Sequence, residues 1–561
     1  MMIQLGISAF YHDSAACIVI DGKVVAAAEE ERFTEVKHDS SFPSNAIAYV
    51  LREVEIEDIN QIDEICWYED PKIKKNRVLK TFNKHFFKTF RNRCRYLYSH
   101  YFNSPKNLLR RHFKYTGKIV YIDHHLSHAA FTYLTSPYKN AAIVTIDGVG
   151  EWETITISKG IDNKIRKMGS INFPHSLGML YSTITSYLGF KPNEGEYKVM
   201  GLAPFGDPKI YYEKLNSIFT ESNNKFTIDQ QYFTWEYSDK IMFNYKLAEL
   251  LNLLPRLPEE PITQEHKNLA ASLQKVYEDK FKKLLKVAKK MTKSPNVCLG
   301  GGCAYNGVAN VLAYDYFKSI HIPFAPSDAG SAIGACLYNF NGDRKDNSSP
   351  YLGEEPLDID ITYHLAMNID KVKGKYYNEP TLLKKVAKHI QDQKIIGWVQ
   401  GKMEFGARAL GNRSILASPR DASMRDKLNS VIKKREGFRP FAPSVTAETA
   451  SKWFKIKQGV PYMNMVVEAY EEDGFARFNK FPAATHIDGT CRVQTVNKYQ
   501  NNRYYLLLKE IGKLSGAEVV LNTSFNLKDQ TITRNPEQAI KRFLDSEIDF
   551  LVLNNYLIEK I

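Results

Sequence analysis

His124 and His128 stand four residues apart in Asp123-His124-His125-Leu126-Ser127-His128. On a helix that spacing puts both imidazoles on one face, where they can reach a single metal ion. The glutamate of the zinc-protease signature H-E-x-x-H is missing, which disfavours metal-dependent peptide hydrolysis. Two carboxylates in turn-like settings extend the set: Asp147, after an apolar run, and Asp328 in Ala325-Pro326-Ser327-Asp328-Ala329-Gly330. Two imidazoles and two carboxylates suit Fe(II), Mn(II) or Zn(II), and the residue types do not choose among them. Histidines that pair by chance or cap a helix fit the same spacing.

His12 lies in a polar turn, Tyr11-His12-Asp13-Ser14, where an imidazole can take a proton from a hydroxyl or simply bond to backbone. Gly300-Gly301-Gly302, after Val297-Cys298-Leu299 and before Ala304-Tyr305-Asn306-Gly307, is a strand-to-glycine-turn pattern that admits a nucleotide or acyl phosphate. Further along, Arg408, Arg413, Lys433, Lys434, Arg435, Arg439 and Arg492 are interspersed with Gly406, Gly411 and Gly437. Arginines beside bare backbone grip phosphates bidentately. Asn522, Ser524 and Asn526 alternate along a strand end and can present side chains to one face.

These residues need scaffolding, and the pattern supplies it. Apolar runs Ile3 to Ile7, Ala15 to Ile20 and Val24 to Ala28, separated by turns, read as a three-stranded meander. Ala141 to Ile146, Asp147-Gly148-Val149-Gly150 and Thr154 to Ser158 repeat it, which predicts an internal duplication of the actin and sugar-kinase kind, although two unrelated hairpins fit as well. Glu265 to Thr292 has helical spacing. A turn-rich stretch at 341–360 marks a domain boundary, beyond which a helix (Glu379 to Gln391) and strands (Ile395 to Val399, Val519 to Leu521, Phe550 to Leu553) begin a second α/β region.

The chain has 561 residues, 43% hydrophobic and 25% charged, so it holds several domains and is not disordered. No apolar run reaches the roughly 18 residues of a bilayer span, and Met1 to Gly6 lacks the basic start of a secretory signal. Seven cysteines without a C-x-x-C pair read as reduced thiols, and the expected location is cytoplasmic. The formal net charge of +13 is concentrated: Lys72 to Lys118 contains fifteen Lys or Arg and no Asp or Glu, and the rest is close to neutral. Val78, Leu79, Phe82, Phe86, Phe87 and Phe90 predict an amphipathic helix there, its apolar stripe packed and its basic face solvated. A sharper expectation is that this segment gathers an anionic acceptor or rests on an anionic membrane surface.

Gly6-Ile7-Ser8 with His12-Asp13-Ser14-Ala15-Ala16, Glu29-Glu30-Glu31-Arg32-Phe33, Asp123 to Ala129, Gly195-Glu196-Tyr197-Lys198-Val199-Met200-Gly201, Gly406 to Ile415, Arg435 to Pro443 and Asn522-Thr523-Ser524-Phe525-Asn526 together resemble the nodulation-protein-U and cephalosporin O-carbamoyltransferase family nearly end to end. The resemblance implies an N-terminal, duplicated actin-like domain (1–350) fused to a C-terminal YrdC-like α/β domain (351–561). It implies that carbamoyl phosphate and Mg-ATP form carbamoyl-adenylate in the second domain, and that the first moves the carbamoyl group to a hydroxyl. By motif, Arg408, Lys433, Arg439, Arg492, Asn522 and Ser524 would hold ATP and carbamoyl phosphate. His124, His128, Asp147 and Asp328 would hold Fe(II), with zinc or manganese as alternatives. His12 would be the catalytic base and Lys37 would contact the acceptor. Asp147, Gly148, Gly301, Gly302 and Asn306 would receive the carbamoyl-adenylate. Expected partners are a hydroxyl-bearing small molecule or glycan, ATP and carbamoyl phosphate, with a homodimer and a peripheral membrane contact through 72–118 left open and no stable nucleic acid. A small-molecule kinase explains the duplicated pattern but neither the His/Asp set nor the arginine-rich C-terminal region. A tRNA-modifying or nucleic-acid-binding protein draws its support from the basic segment.

Overall fold

The computed structural model describes all residues except 86–87, 90–96, 98–101, 223, 239–240 and 471–479. Phe86, Phe87, Phe90, Arg91 and Cys94 therefore lie outside the described residues. The chain divides into two compact units, Met1–Glu30 with His38–Ser348 and Glu31–Lys37 with Ser349–Ile561. The short segment Glu31–Lys37 thus belongs with the C-terminal part, which a linear reading of the boundary does not anticipate.

The first unit is built on two five-stranded sheets. In one, β1 (Ile3–Ser8), β2 (Ala15–Ile20), β3 (Lys23–Glu29), β4 (Glu64–Trp67) and β5 (Ile119–Tyr121) run in the order β3-β2-β1-β4-β5. The first three pair antiparallel, whereas β1, β4 and β5 pair parallel. In the other, β6 (Asn140–Ile146), β7 (Glu153–Ile161) and β8 (Lys164–Asn172) join Asn296–Gly300 and Ser319–His321 in the corresponding order, with the same alternation of antiparallel and parallel pairing. The second meander thus has the third strand that its polar sequence, Lys164-Ile165-Arg166-Lys167, conceals. The expected duplication is present in the strand order itself.

Equivalent points of the two copies carry the candidate chemistry. The turn after β1 holds Tyr11, His12 and Asp13, and the turn after β6 holds Asp147 and Gly148. The helix following the fifth strand of the first sheet is His124–Leu134, and the helix following the fifth strand of the second is Asp328–Asn339. These two helices pack closely because their facing residues are small: a Cβ on Gly334 would stand 2.0 Å from the Ser127 carbonyl oxygen. The long helix Gln264–Thr292 lies as the spacing predicts, capped by a reciprocal Thr263–His266 box.

The second unit is a mixed eight-stranded sheet with helices on both faces. Its central strands are Ile396–Val399, Arg413–Ala417, Val519–Ser524 and Ala442–Thr446. Glu379–Gln391 and Asn502–Ser515 cover one face through Leu382, Val386, Leu507 and Ile511, and Leu428, Ile540 and Phe543 cover the other. Among the described residues no helix is long and apolar enough to cross a membrane.

Candidate active site

The four expected ligands converge in the first unit. His124, His128, Asp147 and Asp328 are all buried, and their ligand atoms lie within 4.8 Å of one another. The Nε2 atoms of His124 and His128 are 3.1 Å apart, and Asp147 Oδ2 lies 3.1 Å and 2.9 Å from them. Asp328 Oδ1 is 3.3 Å from His128 Nε2 and 3.7 Å from His124 Nε2. Asp328 Oδ1 is buried without a hydrogen bond, and so is His124 Nδ1. Two imidazole nitrogens and two carboxylate oxygens aimed at one point, one of those oxygens lacking a hydrogen bond, fit a divalent first-row cation. Ser331 Oγ lies 2.9 Å from His128 Nδ1 and orients that ring from behind. His125 turns away to Thr145 Oγ1 (2.7 Å) and the Glu153 carbonyl (3.0 Å), and burial holds its pKa well below the usual histidine value.

The ligand helix is placed by a residue absent from the motif reading. Both carboxylate oxygens of Glu151 accept from the His124 backbone N–H at 3.0 Å, a remote cap in place of Asp123, whose side chain makes no cap. Glu151 Oε1 also accepts from the Asp70 N–H at 2.7 Å. Burial raises its pKa to about 7. Its acidity immediately after the Asp147-Gly148-Val149-Gly150 turn was the available signal.

His12 does not act alone in its turn. Its Nδ1 is 2.9 Å from Asp13 Oδ2, and His38 Nδ1 is 2.6 Å from Asp13 Oδ1. Burial lowers the His12 pKa, but Asp328, Asp13 and Asp147 outweigh it and raise the value to about 10. The carboxylates acting on His12 therefore include both acidic members of the ligand set. Tyr11, next in the chain, sets its ring 5.8 Å from His124.

Gly301 and Gly302 are bare for a reason: Gly301 has φ +85°, and a Cβ there would meet the Ile146 carbonyl at 2.2 Å. A Cβ on Gly302 would stand 3.1 Å from Asp147 Oδ1, to which the Gly148 N–H donates at 2.7 Å. Asn306 adjoins this turn, but its amide caps Gly307–Asn310 and bonds Gln274.

In the second unit, Lys433 is buried and donates to Ser524 O (2.5 Å), Asn526 O (2.9 Å) and Asn526 Oδ1 (2.8 Å). Ser524 Oγ donates to Asn526 Oδ1 at 2.7 Å. Burial, then Arg435, Arg439, Lys37 and Arg542, push the Lys433 pKa well below its ordinary value. Lys37 thus takes its place among the cations of this unit. Asn522 Nδ2 donates to Ser444 Oγ, Gln494 Oε1 and the Ala409 carbonyl, and Gln494 donates to the Leu410 carbonyl. Those bonds tie the loop of Arg408 to the strands beside Asn522 and Arg492. Arg439 sits 3.7 Å from Glu436. Arg413 departs from the phosphate-gripping expectation: it is wholly buried and donates to the carbonyls of Glu354, Gln400, Gly401, Asn412 and Arg534. Five carbonyls consume its donors, so it braces the loop. Glu404, also unread in the sequence, gathers the N–H groups of Leu410, Asn412 and Arg413.

The fold and site define a two-unit α/β protein with a candidate metal centre in its duplicated half. Residues 3–337 match the family described as Carbamoyltransferase N-terminus, and residues 387–560 match Carbamoyltransferase C-terminus. The nodulation protein NolNO of Sinorhizobium fredii is 34% identical over 98% of this chain and 79% of its own. The 3'-hydroxymethylcephem-O-carbamoyltransferase of Amycolatopsis lactamdurans is 28% identical over 72% of this chain and 74% of its own. Among solved structures, HypF from T. kodakarensis aligns with 60% of this chain and 47% of its own at 12% identity, TM-score 0.31. The chain belongs to the carbamoyltransferase family and is an O-carbamoyltransferase of the nodulation-protein-U and cephem type.

Proposed function

We propose that the protein uses ATP and carbamoyl phosphate to make carbamoyl-adenylate in its second unit, a YrdC-like domain, and carbamoylates an acceptor hydroxyl in its first, an actin-like one. The observation that carries the reading is the convergence of His124, His128, Asp147 and Asp328 in one half of a carbamoyltransferase, with a separate cation cluster around Lys433 in the other. We place the reaction in the cytoplasm, in keeping with the free thiols of Cys17, Cys66, Cys298, Cys303, Cys336 and Cys491.

The division follows from reactivity. Nitrogen donation makes a carbamoyl carbon a poor electrophile, so an alcohol attacks it only after activation. Lys433, Arg408, Arg439 and Arg492 supply positive charge for the phosphates during that activation, with Lys37 added to their number. In transfer, the acceptor oxygen bonds to the carbamoyl carbon, the bond to the adenylate oxygen breaks, and AMP leaves. With Asp147 and Asp328, two of the carboxylates that raise the His12 pKa, offset by a divalent cation, the neutral imidazole of His12, oriented by Asp13, takes the hydroxyl proton. His124, His128, Asp147 and Asp328 would hold Fe(II), and a cation there supplies Lewis-acid polarisation of the carbamoyl oxygen. The bare backbone of Gly148, Gly301 and Gly302 beside Asp147 admits the adenylate end. The acceptor is a hydroxyl-bearing small molecule or glycan. Incubation with ATP, carbamoyl phosphate and a panel of metabolites and glycans, followed by mass spectrometry, tests the reading: AMP and a carbamate ester should form together.

A further inference from the structure

We propose that Arg77, with Tyr11, forms a subsite for an anionic oxyacid group, carboxylate or phosphate, carried by the carbamoyl acceptor. The inference rests on the carbamoyl-transfer reading above and gives its acceptor a chemical class. The helix Pro71–Lys84 was expected to bury an apolar stripe, yet its buried residue is Arg77, 8% exposed, while Val78, Leu79 and Phe82 remain half-buried. The helix starts where the ligand helix starts. Asp70 caps it through Lys72 N, and the Asp70 N–H donates to the Glu151 carboxylate that also receives His124 N–H. That shared anchor fixes Arg77 beside the turn bearing His12.

The surroundings of Arg77 are unusual for a buried cation. Its Nη2 donates to Tyr11 Oη at 3.2 Å, and the Phe173 ring lies 5.1 Å from the guanidinium. Its Nε is buried with no hydrogen-bond acceptor, and among the described residues no carboxylate pairs with it. Neighbouring cations on the same helix are compensated: Lys74 by Glu69 at 2.9 Å, and Lys84 by Glu236 at 2.8 Å. A desolvated guanidinium without a counter-charge is costly to keep, and an oxyanion bonded to its Nε would offset that cost. Lys80, three residues on and exposed, lies over Trp152 at 5.4 Å and extends positive charge outward from the same face. Tyr11 Oη accepts from Arg77 and donates to the Gly150 carbonyl at 3.3 Å, so the phenol places the guanidinium while Arg77 Nε is left for the anion. The group bound is the acceptor's because Tyr11 precedes His12, the residue assigned above to the acceptor hydroxyl.

The full-length protein, loaded with a non-hydrolysable ATP analogue to occupy the second unit, is titrated calorimetrically with inorganic phosphate and, separately, with acetate. Wild type should show an anion site that weakens at least tenfold in Arg77→Gln and recovers in part in Arg77→Lys. A stronger response to phosphate assigns a phosphorylated acceptor, and a stronger response to acetate assigns a carboxylate. Carbamoyl-phosphate-dependent ATP–pyrophosphate exchange should be unchanged in all three proteins. Equal anion affinity in wild type and Arg77→Gln overturns the subsite while leaving the transfer reading standing. Absence of exchange in wild type overturns the transfer reading itself. Should Arg77→Gln fail to fold, Arg77→Lys with wild-type anion affinity and a shift in neither titration overturns the subsite.

Discussion

Ser331 Oγ stands 2.9 Å from Nδ1 of His128, on the side of the ring away from the carboxylates of Asp147 and Asp328. With Nδ1–H donating to the hydroxyl, the Nε2 lone pair is directed at the ligand cluster. Ser331→Ala removes that orientation without touching a ligand. Metal affinity should fall by roughly 10–100-fold, measured by competition with a chelator, and carbamoyl transfer should fall with it. Unaltered affinity would show that the ring is held by packing alone.

Glu151 anchors two helices through backbone N–H groups. Truncation to alanine leaves the His124 and Asp70 donors buried and unsatisfied, which should cost roughly 1–3 kcal/mol of unfolding free energy. Glu151→Gln keeps an acceptor and should cost less. Denaturant unfolding of both variants measures the order.

Several elements were legible because local pattern and tertiary role agree. Helix Glu379–Gln391 and strand Phe550–Leu553 fall where their spacing places them, and Gln264–Thr292 begins one residue earlier than read. The convergence of His124 and His128 was legible because they stand four apart on a real helix. Glu151, Ser331 and Glu404 were not, since their roles are to hold backbone or a ring from a distant part of the chain, and no local spacing encodes that. Arg413 was misread because a charged residue among apolar neighbours says it is buried but not whether carbonyls or a ligand satisfy it, and the burial of Arg77 is hidden within a block of fifteen basic residues. Asn522 was read as facing ligand; its amide nitrogen serves Ser444, Gln494 and Ala409, and its Oδ1 is buried without a hydrogen bond.

Lys433 gives a titration signature. Burial and surrounding cations depress its pKa in the protein without ligand, so it sheds its proton at a pH below the ordinary lysine value of 10.5. A bound anion stabilises the charged form and raises the pKa back. Binding of ATP or carbamoyl phosphate should therefore take up protons in the window between the depressed value and 10.5, with less uptake on either side of it. Calorimetry in buffers of different ionisation enthalpy measures the uptake, and Lys433→Met should abolish it.

The central claim is that activation occurs in the second unit and transfer in the first, with His12 serving transfer alone. The direct measurement is His12→Ala assayed in parallel for carbamoyl-phosphate-dependent ATP–pyrophosphate exchange and for carbamate ester formation by mass spectrometry. The account predicts exchange at the wild-type rate and transfer reduced roughly 10²–10⁴-fold. Undiminished carbamate product, or loss of exchange together with transfer, would contradict it.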